Sequence, residues 1–137
     1  MKTKAIILII FLFGIFSCEK SDLKHDLLGK WKFFGSSGGI HGQGANFDID
    51  YMYLDRRNDY RFSRNDTIIE NGSYNLIDYQ NTSSLGDFAI KFSPKDRIKS
   101  GAGQITAQPM IVQRMTCDSI ILYDGFVDGF GYYFVKQ

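Results

Sequence analysis

From residue 29 to the C-terminus, apolar and polar side chains alternate in short runs separated by turn-forming residues. A period of two places successive side chains on opposite faces of an extended strand. In residues 29–34, Trp31 and Phe33 fall on one face and Lys30, Lys32 and Phe34 on the other; in residues 87–92, Phe88, Ile90 and Phe92 oppose Ala89 and Lys91. The same reading predicts strands over residues 47–55, 60–64, 67–70, 73–79, 109–116, 119–123 and 131–136. Between them lie Arg56-Arg57-Asn58-Asp59, Asn65-Asp66, Ser93-Pro94-Lys95-Asp96 and Cys117-Asp118, all of them turn chemistry, and residues 80–86 and 97–104 read as loops. Asn71-Gly72 is either a hairpin turn or a bend within one long strand. No sustained apolar stripe with a period of 3.6 follows residue 17.

The count is about eight strands with short connections. An open antiparallel sheet of that size leaves two edges and an exposed apolar face. Closure into an all-β, up-and-down barrel removes the edges. Eight strands enclose an interior that side chains fill or that holds one small ligand. The rival architecture, an immunoglobulin-like sandwich, needs a longer crossover than the pattern offers.

Residues 1–17 obey a different pattern. Lys2 and Lys4 precede an uncharged run over residues 5–16. That run is too short for a membrane-spanning helix, which needs about 20 residues, and matches the apolar region of a secretion signal. A polar stretch, Cys18-Glu19-Lys20-Ser21, begins directly after it. Ile15-Phe16-Ser17-Cys18 resembles the lipobox of bacterial lipoproteins, with Phe16 in place of the usual small residue. The resemblance implies cleavage before Cys18, acylation of its sulfur and anchoring in the bacterial cell envelope. Glu19, in place of an aspartate that retains lipoproteins at the inner membrane, implies the outer membrane. The domain plan is then a signal over 1–17, an acylated cysteine and polar tether over 18–27, and a barrel over 28–137.

Charge narrows the partners. Residues 1–17 contain two lysines and no acid, so their removal leaves 14 basic against 15 acidic side chains. A near-neutral chain lacks the field that nucleic-acid binding requires. Arg56, Arg57, Arg61 and Arg64 are interleaved with Asp55, Asp59 and Asp66, which reads as a solvated face rather than an anion site. The chain has two cysteines. With Cys18 acylated, Cys117 stands alone as a small apolar residue near a strand end.

Candidate chemistry is sparse. Five glycines in residues 35–45 make a loop, yet a strand pattern follows rather than the helix a phosphate cradle requires. His41 in that loop has no second histidine near it, and His25 belongs to the tether, so no metal or other cofactor is expected. Asp48 and Asp50 share a strand face and are candidate paired carboxylates for a hydrolase. No nucleophile–base pair accompanies them, and the expectation is of a protein without catalytic activity.

Leu28-Gly29-Lys30-Trp31 resembles the Gly-X-Trp motif of lipocalins. Tyr60-x-Phe62, Gly72-Ser73-Tyr74, residues 118–122 and the closing Tyr133-Phe134-Val135-Lys136 extend the likeness to the short lipocalin-like domains of bacterial surface lipoproteins. The resemblance implies a basic residue over the motif tryptophan, for which Lys136 is the candidate. An aromatic-rich barrel with glycine-rich loops makes Trp31, Phe33, Tyr60, Phe62, Tyr74, Phe88, Phe92 and Tyr132 candidate mouth contacts for a small apolar ligand; the alternative is that all eight are core. The expected function is a lipid-anchored binding or interaction module. The alternative is a structural or inhibitory lipoprotein that docks on another envelope protein.

Overall fold

The computed structural model describes residues 23–38, 48–78, 88–95, 103–125 and 129–137. Its strands are β1 (Gly29–Gly38), β2 (Tyr51–Leu54), β3 (Asp59–Arg64), β4 (Thr67–Asp78), β5 (Phe88–Pro94), β6 (Met110–Met115), β7 (Ser119–Tyr123) and β8 (Phe130–Lys136). Each pairs antiparallel with the next, and β1 pairs with β8, so the sheet closes into an up-and-down barrel. The alternation has its physical outcome in the burial. Trp31, Met52, Phe62, Ile90, Met110, Leu122 and Phe134 point inward and are at most 1% exposed. Lys32, Arg61, Ser73, Asn75, Lys91 and Gln113 face water. An apolar interior and a polar outer face are the reverse of a barrel that spans a membrane. Among the described residues no helix is long and apolar enough to cross one.

Two short helices, which no periodicity announces, serve the barrel. The first, α1 (Leu23–Leu27), occupies part of the expected tether. It seats Leu27, fully buried, in the core. The second, α2 (Gly103–Thr106), falls at the end of an expected loop, packs against β5 and buries Ile105 completely.

β5 runs to Pro94, past its predicted end and into the expected turn, by pairing Ser93 and Pro94 with Ser73 and Gly72, and three other strands depart further from their predicted limits. β1 runs on through Gly35-Ser36-Ser37-Gly38, which were expected to be loop, because those residues pair with Tyr133, Tyr132, Gly131 and Phe130 of β8. The backbone ladder holds a segment whose own side chains supply little. At its end Gly38, at φ +104°, lies so close to Gly129 that a Cβ would fall 2.1 Å from the Gly129 carbonyl oxygen. Residues 48–50 enter β2 without strand structure, so β2 starts at Tyr51. Asn71-Gly72 lies inside the single strand β4 and is not a turn. A Cβ on Gly72 would fall 2.2 Å from the Ser93 carbonyl oxygen and 2.8 Å from the Tyr60 ring, so only glycine lets β4 pass between them. The expected loops over 80–86 and most of 35–45, with His41, lie outside the described residues.

Candidate functional site

At one end of the barrel a latch joins α1 to the last strand. The Trp31 Nε1–H donates to the Leu27 carbonyl at 2.8 Å, and Lys136 Nζ donates to the Asp26 carbonyl at 2.8 Å. Lys136 Nζ also lies 5.2 Å from the centroid of the Trp31 ring, within cation–π range. Gly29, at φ +128°, would place a Cβ 3.3 Å from Lys136 Cε. The backbone conformation, not the flexible lysine stem beside it, is what calls for the glycine of Gly-X-Trp.

The eight candidate aromatics gather in the interior. Trp31, Tyr60, Phe62, Tyr74, Phe92 and Tyr132 are at most 3% exposed, while Phe33 and Phe88 are partly buried and pack against the rest. Tyr60, Phe62 and Phe92 form a three-ring cluster with centroids 4.9–5.5 Å apart. Such pairs contribute about 0.5–1.5 kcal/mol each beyond the area they bury. In this arrangement the rings serve first as core.

Sequence reasoning missed Glu70. It is 3% exposed inside the barrel, and Tyr60 donates its hydroxyl hydrogen to Glu70 Oε1 at 2.8 Å. Burial first, then the Glu70 hydrogen bond and its negative charge, raise the Tyr60 hydroxyl well above the ordinary tyrosine value. The one available signal was parity: Glu70 shares a face of β4 with Gly72 and Tyr74, both buried.

A cleft of about 360 Å³ opens at the opposite lip. Lys32 and Phe33 of β1 form one wall, Asp50 and Tyr51 another, and Asn65 and Asp66 of the β3–β4 turn the third. Asn65 and Asp66 adopt φ of 48° and 60°, the paired left-handed geometry of a tight hairpin. Asp50 accepts the Asn65 amide hydrogen at 2.6 Å, and its own N–H donates to Ser63 O at 2.8 Å. Arg64 pairs with Asp48. Both candidate carboxylates thus strap residues 48–50 to the β3–β4 turn. Of the aromatic candidates only Phe33 lines this cleft. The lining offers one ammonium, two carboxylates, an amide and two rings, in a volume at the lower end of small-molecule sites. Among the described residues no three His, Cys, Asp or Glu side chains converge as a metal site.

The sulfur chemistry differs from expectation. Cys117, expected to stand alone, is disulfide-bonded. The other cysteine of the sequence, Cys18, lies outside the described residues. One sulfur cannot hold a thioether and a disulfide together.

No family model, no curated protein and no solved structure matches the chain.

Proposed function

We propose that this chain is a non-catalytic binding module of the bacterial cell envelope, lipocalin-like in design, held at the outer membrane by acylation of Cys18 in a form of the chain in which Cys18 is not bonded to Cys117. The observation that carries the binding reading is the lip cleft of about 360 Å³ beside an interior occupied by aromatic side chains. Its mixed lining suits a small zwitterion with a flat apolar body, an amino-acid-like ligand. A carboxylate of the ligand would meet Lys32, its ammonium Asp50 and Asp66, and its body the rings of Phe33 and Tyr51. Support for the lipocalin likeness comes from the closed eight-stranded sheet and from Lys136 over Trp31. Support for the anchor comes from Ile15-Phe16-Ser17-Cys18 at the end of an apolar run. Asp48 and Asp50 are both engaged in holding the lip, and a hydrolase is not proposed.

Calorimetric titration with free aromatic amino acids and with apolar fatty acids tests the ligand class. Binding of the zwitterions that Lys32→Met weakens at least tenfold supports the cleft. Binding of fatty acids that is indifferent to Lys32→Met, or no binding by either class, refutes it.

A further inference from the structure

Two rows, outward-facing apart from the buried Ser63, cross β1, β2, β3 and β4 without an acidic member. The first runs Val135, Lys32, Tyr51, Ser63 and Ile68 in register, starting from β8; the second runs Lys30, Tyr53, Arg61 and Asn71. Lys30 Nζ sits 3.9 Å from the Tyr51 ring centroid and 5.6 Å from that of Tyr53, and the Arg61 guanidinium lies 5.3 Å from Tyr53. The rings fix the cations without neutralising them. Among the described residues the only ion pair is Arg64 with Asp48, so neither Lys30 nor Arg61 is ion-paired, while Lys32 shares the lip cleft with Asp50 and Asp66.

Exposed apolar side chains border the same rows. Phe34 is 82% exposed, Ile68 50% and Val135 39%. Phe34 follows Lys32 by two residues at the β1 bulge, and Val135 is the direct neighbour of Lys32. Cations, tyrosines and a protruding phenylalanine on one face make the composition of an interfacial membrane contact, where rings enter the headgroup layer and ammonium groups meet phosphates. The chain path brings this face to a bilayer. Only residues 19–22 separate Cys18 from α1, so the start of α1 stands within about 18 Å of an anchored Cys18. β1, which carries Lys30, Lys32 and Phe34, leaves directly from that end of the barrel.

We propose that the outer face of β1, β2 and β3, through Lys30, Lys32, Arg61 and Phe34, docks the barrel side-on against an anionic phospholipid surface. The geometry rests on the anchoring proposed above, but the charge and the exposed rings do not, and the test is made without the anchor. Residues 19–137 suffice for it, since they hold every strand and every buried core residue of the closed barrel. The experiment is co-sedimentation with vesicles of phosphatidylglycerol and phosphatidylcholine, or of phosphatidylcholine alone.

Binding to the anionic vesicles is expected, weakening as salt is added and near background on phosphatidylcholine. Reversal of two cations, Lys30→Glu with Arg61→Glu, should lower binding at least about tenfold, given the attraction each cation contributes at an anionic surface. Phe34→Ser should lower it on its own. Lys32 is left intact because it lines the cleft. Circular dichroism and thermal unfolding confirm that each variant is folded; should the double reversal not fold, Phe34→Ser and the salt dependence decide. Failure of the folded parent chain to bind anionic vesicles overturns the proposal. Equal binding by parent and variants does the same, as does preference for an acidic polysaccharide over the vesicles. Absence of acyl chains on Cys18, by contrast, would remove the anchor and leave this result standing.

Discussion

Tyr60 donates its hydroxyl hydrogen to Glu70 at 2.8 Å across the β3–β4 hairpin, and both side chains are at most 3% exposed. A carboxyl group in an aromatic interior is costly unless hydrogen-bonded. Tyr60→Phe removes a donor and leaves the acceptor in place, which should destabilise the barrel by about 1–3 kcal/mol. Glu70→Gln keeps an acceptor and should cost less. The two residues touch, so the double substitution should depart from additivity by at least about 0.5 kcal/mol. Urea unfolding of the four proteins measures this. Simple additivity would refute a Tyr60–Glu70 partnership.

The second prediction concerns Lys136, whose Nζ both bonds the Asp26 carbonyl and faces the Trp31 ring. Lys136→Met retains the stem and removes the cation, with an expected loss of about 1–2 kcal/mol. Trp31 is the only tryptophan, so its fluorescence reports this end of the barrel alone. Emission should shift to the red in Lys136→Met as α1 loosens and water reaches the indole. Lys136→Arg, which keeps charge and donors, should hold the parent spectrum. An unchanged spectrum in Lys136→Met would mean that Leu27 alone seats α1.

Much of this architecture was legible in the alternation. Trp31, Ile90, Phe92 and Phe134 face inward as their parity requires, and Ser119–Tyr123 is a strand at its predicted limits. The register on β4 turned on a question that parity leaves open, whether Asn71-Gly72 turns or runs on within the strand; the nearness of Ser93 and Tyr60 decides it. α1 was hidden because five residues are too few for a helical period, and Leu27 acquires meaning only when Trp31 reaches its carbonyl. β1 beyond Gly35 was hidden because Gly-Ser-Ser-Gly carries no hydrophobic pattern; its order comes from β8, almost a hundred residues away in sequence. The cleft was hidden for a related reason. Its walls come from β1, from the approach to β2 and from the β3–β4 turn, and no sequence window contains all three.

A third prediction follows from the buried tyrosines. Burial, and secondarily the charge of Asp124, push the Tyr132 hydroxyl up to about 12, against about 10 in an unfolded chain. Between those two values the folded chain keeps a proton that the unfolded chain releases. The neutral hydroxyl therefore supports the fold fully below pH 10, and that contribution is lost as pH rises toward 12. Tyr60 and Tyr74 are raised for the same first cause and add to the effect. Stability should fall steeply above pH 10, with tyrosinate absorbance rising in step with unfolding rather than before it. Tyr132→Phe should make the alkaline decline shallower. Full ionisation of all eight tyrosines near pH 10, with the far-ultraviolet dichroism intact, would contradict this.

The last prediction sets two uses of one sulfur against each other. Cys117 is disulfide-bonded, and the sequence holds one other cysteine, Cys18. A chain exported and acylated in a bacterial envelope carries lipid on the Cys18 sulfur, so its Cys117 cannot be bonded to Cys18. A chain expressed without the signal is free to form that bond. Intact mass of the envelope-purified protein should show loss of residues 1–17 together with acyl chains, and Cys117 should then accept an alkylating reagent without prior reduction. Protein made without the signal, in oxidising buffer, should accept the reagent only after reduction. Recovery from the envelope of a protein without acyl chains, its Cys117 blocked until reduction, would show that Cys18 closes a bridge rather than holding a membrane, and the anchoring would fall.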